Sequence, residues 1–353
     1  MKNYNLSLIL TFCLLVLNGQ MLKCQTTKDY LIETVAFYNV ENLFDTVDDT
    51  LTFDDDRTAL GKDRWTEERY RRKIKNIAKV LSEIGAAESK NAPAIIGLCE
   101  IENRLVLEEL IADPSLVPYH YGIIHYDSPD ERGIDVALIY QKKAFTPLNS
   151  QTRKLMIYDA DKRDYTRDQL VVNGLLQGEE IYFIVNHWPS RSGGEAKSSY
   201  KREKAAALNK KIIDSIYRID PLAKIIGMGD FNDDPSNKSF KKFLQTKAEI
   251  NGLQEKELYN PMENMLKKGK GSLAYRDSWN LFDQIYVNQS LVSKNFSGFQ
   301  FFKAGIFNPP YLVTPGGQFK GYPYRTYGSS GYEPGYSDHF PVYIYLIREL
   351  KPD

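Results

Sequence analysis

The sequence predicts an α/β domain in which β-sheets are covered by helices. Short apolar runs of strand length alternate along the chain with longer amphipathic segments. The 353 residues, of which 42% are hydrophobic, are enough to bury a large core. Because no internal repeat and no flexible linker divides the chain, we expect one domain over residues 30–350.

Seven apolar runs predict the strands of this domain. They cover residues 34–38, 94–98, 136–140, 181–185, 224–228, 283–287 and 342–346. Most of these runs are short and contain β-branched residues, a composition typical of buried strands.

Two long amphipathic segments predict helices. The clearest covers residues 66–84, where Glu67 and Glu68 lie in the first turn and apolar residues recur at spacings of three and four. A second helix is expected over residues 200–219, and a shorter one after Ser236.

The N-terminus has the features of an export signal. Lys2 precedes an apolar stretch at residues 6–17, which is too short for a comfortable membrane span. We expect a signal peptide over residues 1–24, no transmembrane segment in the mature chain, and a periplasmic or secreted protein. Lipid attachment at Cys24 is a less favoured alternative, because Lys23 precedes that cysteine.

The charge composition excludes few partners. Lys plus Arg and Asp plus Glu each number 46, so no net positive field identifies a nucleic-acid-binding protein. A locally basic cleft remains compatible with this balance. We expect a monomer without a stable protein partner.

Polar residues follow several of the predicted strands. Asn39 ends the run 34–38, and Glu100 comes directly after the run 94–98 and Cys99. In open α/β sheets ligands gather beyond the strand ends. At such a position Glu100 is a candidate Mg²⁺ ligand, and it is equally a candidate for a carboxylate that only caps the next turn.

Further polar motifs come later in the chain. Asn186 and His187 follow the run 181–185, and Asp230 and Asn232 follow the run 224–228. Side chains two positions apart leave a strand on the same face, so the acid and the amide can be directed at one point. His187 is either a donor to a phosphoryl oxygen or a packed turn residue.

An acid and imidazole pair completes the set of motifs. Asp283 begins a predicted strand, and Asp338 and His339 precede the last one. A carboxylate, a carboxamide and an acid and imidazole pair are what hydrolysis of a phosphate ester with a hard divalent cation requires.

Taken in order, these motifs resemble the endonuclease/exonuclease/phosphatase family, which includes deoxyribonuclease I. The resemblance extends over about residues 34–347, and the sequences around Asn39 and Asn186 are most similar to those of exported bacterial members. It implies a four-layer α/β (α+β) sandwich, in which two mixed β-sheets pack face to face and helices cover the outside.

The resemblance also implies a metal site. Asn39, Glu100 and Asp338 would hold Mg²⁺ or Mn²⁺, with Ca²⁺ as a further option. Oxygen ligands of this kind suit hard divalent cations.

It further implies the catalytic roles. Asp230 would orient or deprotonate the attacking water, and Asn232 would position water or phosphate. His339, oriented by Asp283, would act as the acid-base or phosphate-polarising imidazole. His187 would neutralise charge on the phosphoryl oxygens.

Three residues outside this set have less specific expectations. Arg132 is a candidate phosphate contact, and Asn186 would fix a substrate or a loop. Asp135 is a candidate orienting residue. The Gly-, Pro- and Tyr-rich segment 303–336 either packs through its own side chains or offers tyrosines for stacking on a base or sugar.

We therefore expect an exported metal-dependent phosphodiesterase, foremost an endonuclease acting on DNA or RNA. The alternative keeps the chemistry and changes the substrate to lipid head groups, inositol phosphates or nucleotides, as in a phosphatase or sphingomyelinase. A non-catalytic binding protein is a third class. The sequence contains no G-x-S-x-G elbow, Walker loop or H-E-x-x-H motif that would indicate other chemistry.

Overall fold

The structure is a computed structural model that describes residues 28–328 and 331–350. The expected signal peptide, including Cys24, lies outside the described residues.

In chain order the strands are β1 (Tyr30–Leu43), β2 (Ile95–Ile101), β3 (Tyr121–His125), β4 (Asp135–Gln141), β5 (Phe145–Arg153), β6 (Ile157–Asp159), β7 (Lys162–Asp164), β8 (Gln169–Leu176), β9 (Glu179–His187), β10 (Ile225–Asp230), β11 (Thr246–Lys247), β12 (Leu258–Tyr259), β13 (Leu273–Tyr275), β14 (Ser278–Asn280), β15 (Asp283–Asn288), β16 (Gln300–Ile306), β17 (Tyr327–Gly328), β18 (Gly331–Tyr332) and β19 (Val342–Glu349).

The α-helices are α1 (Glu67–Glu83), α2 (Ala86–Ser89), α3 (Arg104–Ile111), α4 (Glu195–Ile219) and α5 (Met262–Lys267). A π-helical turn covers Ser239–Leu244, and short 3-10 turns cover Asp55–Arg57, Val117–Tyr119, Gln289–Leu291 and Pro310–Leu312.

Two large mixed sheets form the centre of the fold. The first has the strand order β16-β19-β1-β2-β4-β3, and the second has the order β11-β12-β15-β10-β9-β8-β5. In the first sheet β1 and β2 are parallel, whereas in the second β9 and β10 are parallel. Antiparallel strands flank these two pairs, and the short strands β11 and β12 at the edge of the second sheet are also parallel.

The two sheets pack against each other through alternate residues of their strands. Val35 and Phe37 of β1 share a core with Val185 of β9 and Met228 of β10. Since successive side chains of a strand point to opposite faces, the residues between them point outward. Burial of this apolar surface between the sheets is the main source of their association.

The outward faces of the sheets are covered by helices. Tyr38 of β1 packs with Ile77 and Leu81 of α1. On the far side, Ile184 of β9 packs with Ile216 of α4. The layers therefore run helix, sheet, sheet, helix, and the predicted four-layer sandwich is confirmed.

The predicted elements correspond closely to the observed ones. All seven predicted strands form, within β1, β2, β4, β9, β10, β15 and β19. Helix α1 begins after Thr66, whose hydroxyl accepts from the backbone N–H of Arg69 at 3.5 Å. Helix α4 begins at Glu195, five residues before the predicted start, and the short helix after Ser236 is the π-helical turn.

Four longer strands were not predicted: β3, β5, β8 and β16. Three of these lie at sheet edges, where one side of the strand has no neighbour to require a continuous apolar pattern. Strand β5 is largely polar for this reason. Strand β8 contains Asn173 and Gly174, which interrupt its apolar run.

The Gly-, Pro- and Tyr-rich segment packs onto the first sheet and helix α1. The hydroxyl of Tyr311 donates to Glu83 Oε2 at 2.5 Å, and that of Tyr327 donates to the carbonyl of Asp63 at 2.8 Å. Tyr332 and Tyr336 pack against the same core. Of the two expectations for these tyrosines, packing is therefore the one that the structure supports.

Lys73 of α1 holds this segment through hydrogen bonds. Its ammonium group is buried and donates to Thr326 Oγ1 at 2.6 Å and to the carbonyl of Tyr336 at 2.5 Å. The carboxylate of Glu41 lies 3.8 Å away. Burial lowers the pKa of Lys73 to about 8, although the charge of Glu41 acts in the opposite direction.

Within the described residues, none of the helices has both the length and the apolar character needed to cross a bilayer.

We expect Lys73→Ala to destabilise the protein by about 3 kcal/mol, because it removes a buried positive charge beside the Glu41 carboxylate and leaves two oxygen acceptors without their donor. Lys75→Ala is the matched control, since Lys75 is exposed on the same helix, and it should change stability by less than about 0.5 kcal/mol. Urea unfolding measures both effects. Equal stability of the two variants would contradict the proposed anchoring.

Candidate active site

Polar residues of both sheets converge at one edge of the sandwich. In the first sheet Asn39 pairs with Cys99, the residue before Glu100. In the second sheet His187 pairs with Asp230 at the ends of the parallel strands β9 and β10. The carboxyl ends of the two parallel pairs therefore meet, and they bring together side chains that are distant in sequence.

Irregular backbone directs several of these side chains. The pairing register of β1 and β2 shifts between Asn39 and Leu43, where Glu41 and Asn42 have φ of 51° and 52°. Glu100 has φ of 61° at a register shift between β2 and β4. Left-handed backbone at non-glycine residues is costly and concentrates at functional sites. These bulges turn Glu100 and its neighbours out of the regular pleat.

The side-chain amide of Asn39 connects the two sheets. Its Nδ2 donates to Asp230 Oδ2 at 3.0 Å and lies 3.3 Å from Glu100 Oε1. Its Oδ1 accepts from the backbone N–H of Glu41 at 2.9 Å. In this orientation Asn39 directs its nitrogen at the two carboxylates, so it donates to them and does not offer its side-chain oxygen to a cation between them.

Asp230 lies at the centre of the site and is buried. Burial raises the pKa of Asp230 to about 6, and the neighbouring Asp283 adds to this effect, while His339, Asn232 and Asn39 oppose it. A carboxylate with a pKa in this range can accept a proton from water at neutral pH.

Asn232 lies in a turn after strand β10 and contacts Asp230 from that turn. Strand β10 ends at Asp230, and Asn232 has a left-handed φ of 50°. Its backbone N–H donates to Asp230 Oδ1 at 2.9 Å, and its Nδ2 donates to the carbonyl of Trp188 at 3.0 Å. The expectation that both side chains leave one strand face was wrong, because asparagine tolerates this turn and ends the strand.

His339 and Asp283 form a buried pair. His339 Nδ1 lies 2.6 Å from Asp283 Oδ2, and His339 Nε2 lies 4.0 Å from Asp230 Oδ2. Burial lowers the pKa of His339, but the hydrogen bond and charge of Asp283, with Asp230 and Asp338, outweigh it and hold the pKa well above its usual value. The imidazole is therefore oriented by Asp283 and favoured in its protonated form.

His187 differs from His339 in its charge. Its Nε2 lies 3.7 Å from Asp230 Oδ2 and 3.9 Å from Glu100 Oε1. Burial lowers the pKa of His187 well below its usual value, and the positive charges of Arg167, Arg132 and His339 add to this effect. We infer a neutral imidazole that faces the site, which can donate a hydrogen bond to a phosphoryl oxygen but does not bring the positive charge that would neutralise it.

The predicted metal ligands are arranged around the same centre. Glu100 Oε2 accepts from the backbone N–H of Asn42 at 2.9 Å, which leaves Oε1 facing Asn39 and His187. Asp338 Oδ1 lies 3.9 Å from His339 Nε2. Glu100 is largely buried, whereas Asp338 is partly exposed and pairs with Arg325 at 3.0 Å. Carboxylate oxygens such as these suit Mg²⁺ or Mn²⁺. Glu100 and Asp338 fit the role of metal ligands, whereas Asn39 donates to Glu100 and Asp230.

Arg325 is a site residue that the sequence did not reveal. Its Nη2 donates to Asp338 Oδ2 at 3.0 Å, and its Nε donates to Glu41 Oε1 at 3.4 Å. Glu41 also accepts from the backbone N–H of Thr326 at 2.6 Å. Arg325 lies in the Gly-, Pro- and Tyr-rich segment without a motif around it, so its proximity to Asp338 depends on how that segment packs.

Asn186 has a structural position rather than a ligand-facing one. It is fully buried, its Nδ2 donates to the carbonyls of Ile184 and Met228, and its Oδ1 accepts from Trp188 and Asn209. With its hydrogen-bonding groups used in this way, it does not fit the predicted substrate contact. It supports the strand end that carries His187.

Arg132 and Asp135 lie beside the site rather than within it. Arg132 is exposed and its Nε lies 3.6 Å from Asp130, which pairs with the buried Arg167 at 2.9 Å. Arg132 is thus placed to add positive charge near His187. Asp135 Oδ2 lies 3.0 Å from His125 Nε2, and Asp135 Oδ1 accepts from the Ser128 hydroxyl. Asp135 therefore orients His125 at the end of β3 and not a residue of the site.

The fold is shared with several solved structures. A humanized D. rerio TDP2 carrying 14 mutations matches with a TM-score of 0.54 and 13% identity, over 89% of this chain and 98% of that one. An endonuclease/exonuclease/phosphatase family protein from Bacteroides thetaiotaomicron matches with a TM-score of 0.53 and 18% identity, over 92% and 98%. The mannosyl-6-phosphatase Bt3783 of the same organism matches with a TM-score of 0.53 and 17% identity, over 89% and 99%.

Comparison with curated protein sequences gives no match. A family model described as the Endonuclease/Exonuclease/phosphatase family matches residues 34–348, which is most of the chain. The activities in that description all cleave phosphoester bonds. The match contains every residue of the site, from Asn39 to His339, and the fold agrees with it. The chain belongs to the Endonuclease/Exonuclease/phosphatase family.

Proposed function

We propose that the protein hydrolyses phosphoester bonds with the help of a divalent cation. The observation that carries this proposal is the group formed by Asp230, Asp283 and His339, whose ligand atoms lie within 4.8 Å of one another beside Glu100. An acid with a raised pKa and a carboxylate-oriented imidazole supply the proton transfer and charge stabilisation that this reaction needs.

The charge state of each residue in the site sets its catalytic role. Asp230 takes a proton from the attacking water, because burial makes it a stronger base than an exposed carboxylate. His339, held by Asp283, donates to a phosphoryl oxygen and stabilises the negative charge that grows there. His187, whose Nε2 lies 3.7 Å from Asp230 Oδ2, contributes a neutral donor.

Glu100 and Asp338 would hold the cation, with Asn39 keeping Glu100 and Asp230 aligned. Bound in this way, a divalent cation polarises the phosphoryl oxygens and lowers the barrier to attack. Metal binding at this edge is also supported by Asp230, Asp283 and His339, whose ligand atoms lie close enough together to hold a cation. The preference for Mg²⁺ or Mn²⁺ follows from the carboxylate oxygens of Glu100 and Asp338.

A nuclease is the first candidate for the substrate class. Support comes from the β13 and β14 hairpin, which leads into Asp283 and exposes Tyr275 and Trp279. Exposed aromatic rings near a phosphoesterase site can stack on bases. One related structure is described as TDP2 from D. rerio complexed with a single strand DNA product.

A phosphatase acting on small molecules is the second candidate. It is supported by a polar cavity next to the site, lined in part by Glu41 and Arg325. Another structural relative is described as a mannosyl-6-phosphatase.

Export is also part of the proposal. It is supported by Lys2 and the apolar residues 6–17, which have the pattern of a signal peptide. N-terminal sequencing of protein recovered from the periplasm or medium should give a first residue between 20 and 26. Recovery of the full-length chain from the cytoplasm alone would contradict export.

Turnover should depend on an added divalent cation. The purified protein should hydrolyse bis(p-nitrophenyl) phosphate with Mg²⁺ or Mn²⁺, and EDTA should abolish the reaction because Glu100 and Asp338 lose the cation that polarises the phosphate. Excess Mg²⁺ added after EDTA should restore the rate. Full activity in the presence of the chelator would exclude the metal-dependent mechanism.

Substitution of the central residues should remove turnover and leave the fold intact. Asp230→Asn and His339→Ala should each lower kcat by at least about 100-fold, since each removes a proton-transfer or charge-stabilising group. His120→Asn is a matched control, because His120 is exposed in a left-handed turn that asparagine tolerates. Wild-type rates for Asp230→Asn or His339→Ala would remove that residue from the mechanism.

A further inference from the structure

Cys99 lies next to the candidate active site and takes no part in the proposed hydrolysis. It is a free cysteine, and its side chain is fully buried in the core between the two sheets. Its backbone pairs with that of Asn39, and Glu100 follows it in the chain. The thiol is therefore enclosed by protein at the point where the core ends and the site begins.

Two side chains of the second sheet face the Cys99 thiol. The ligand atoms of Cys99, His187 and Asp230 all lie within 4.8 Å of one another. Val185 and Met228, two positions before His187 and Asp230 in strands β9 and β10, share the core with Cys99. Because residues two apart in a strand point to the same face, the regular pleat directs His187 and Asp230 at the thiol. We refer to these three residues as the Cys99 group.

The imidazole of His187 has a nitrogen that no hydrogen bond uses. His187 is buried, and within residues 28–328 and 331–350 its Nδ1 has no hydrogen-bond partner. Its Nε2 faces the carboxylates of Asp230 and Glu100 at 3.7 and 3.9 Å, and an ionised carboxylate cannot donate to it. Leaving a buried polar atom without a partner is costly, and a bound cation would give the ring lone pair one.

The donor atoms of the Cys99 group indicate which cation would bind. Mg²⁺ takes oxygen ligands and usually keeps several waters, which an enclosed thiol and imidazole do not suit. Zn²⁺ binds thiolate, imidazole and carboxylate together, and three protein ligands with one open position are a common arrangement. Zinc bonds of about 2.0–2.3 Å place neighbouring ligand atoms about 3.4–3.7 Å apart, so the group needs to close by little more than about 1 Å.

We propose that the Cys99 group is an inhibitory Zn²⁺ site, separate from Glu100 and Asp338, which would hold the cation of the reaction. The Zn–S bond forms as the Cys99 thiol releases its proton to the solvent. Zn²⁺ then occupies the carboxylate of Asp230 that would take a proton from water, and it holds the ring of His187 against Cys99. Zn²⁺ binding is independent of the proposed function, whereas the inhibition rests on it.

The first experiment detects the sulfur ligand without measuring activity. Co²⁺ serves as the probe, because it accepts the same ligands as Zn²⁺ and gives a charge-transfer absorption in the near ultraviolet when a thiolate binds it. The purified protein is treated with chelator, dialysed and titrated with Co²⁺ in excess Mg²⁺. We expect this absorption to saturate at about one equivalent of Co²⁺ and to disappear when Zn²⁺ is added.

Cys99→Ala and Cys99→Ser should both lack the absorption. Alanine removes the ligand atom, and serine keeps the size of the side chain while replacing sulfur with oxygen, so at least one variant should retain the fold. Urea unfolding and circular dichroism check this. No charge-transfer absorption in the wild-type protein, or the same absorption in a folded Cys99 variant, would overturn the assignment.

The second experiment measures inhibition of bis(p-nitrophenyl) phosphate hydrolysis by Zn²⁺ at saturating Mg²⁺. Turnover should fall, and raising Mg²⁺ by about tenfold should not restore it, because Mg²⁺ competes poorly for a thiolate. Both Cys99 variants should retain turnover without Zn²⁺. They should raise the Zn²⁺ concentration for half inhibition by at least about tenfold, since losing a ligand costs at least as much affinity as losing a residue that orients one.

The matched control is a second group with closely spaced ligand atoms. His125, Asp127 and Asp135 also have ligand atoms within 4.8 Å of one another, and Asp127 is exposed. Asp127→Asn should leave the Co²⁺ absorption and the inhibition by Zn²⁺ unchanged. Relief of inhibition by this variant would place the inhibitory ion in the His125 group and overturn the proposal.

The outcomes separate the zinc site from the proposed function. Inhibition that excess Mg²⁺ reverses, or that the Cys99 variants share with the wild-type protein, would place Zn²⁺ at Glu100 and Asp338 and overturn the Cys99 site while hydrolysis stands. Failure of the wild-type protein to hydrolyse the ester with Mg²⁺ or Mn²⁺ would overturn the proposed function and the inhibition. The Co²⁺ titration would still test metal binding by the Cys99 group.

Discussion

The site depends on one hydrogen-bonding group, the side-chain amide of Asn39. It belongs to the first sheet, yet it donates to Asp230 of the second and faces Glu100 at 3.3 Å. Carboxylates this close repel one another in a buried setting, and a shared amide donor offsets part of that repulsion. Ser337 donates to the backbone carbonyl of Asn39 at 2.7 Å and accepts from the N–H of His339 at 3.1 Å. The loop that contains Ser337 and His339 is thereby hydrogen-bonded to the backbone of Asn39.

The geometry of the sandwich explains why the site residues of the two sheets meet at one edge. Each sheet has one parallel strand pair near its centre, and the carboxyl ends of both pairs lie at the same edge. Regular strands would direct alternate side chains into the core or the helix layers. Left-handed residues at Glu41, Asn42, Glu100 and Asn232 end that regularity where the two sheets meet. Their backbone strain is maintained because the surrounding core is closely packed.

The Gly-, Pro- and Tyr-rich segment connects the scaffold to the substrate side of the site. Lys73 holds Thr326 and Tyr336 from helix α1, and Glu41 holds the N–H of Thr326 from β1. Arg325 is consequently fixed between Glu41 and Asp338. Sequence change in this segment alters the polar cavity lined by Glu41 and Arg325 without touching Asp230 or His339. One family can in this way keep its chemistry while changing its substrates.

The α/β class, the seven principal strands and the motifs that end them were all predictable from the amino-acid pattern, because buried strands need continuous apolar runs. The pairing of Asp283 with His339 followed from family resemblance, and the structure places these two side chains in contact. Edge strands such as β5 lacked that apolar signal. Only the packing of the folded chain shows that Asn186 is buried, that burial lowers the pKa of His187, and that Arg325 meets Asp338. Burial and contact between distant residues set hydrogen bonds and charge states, and no local pattern of residues records them.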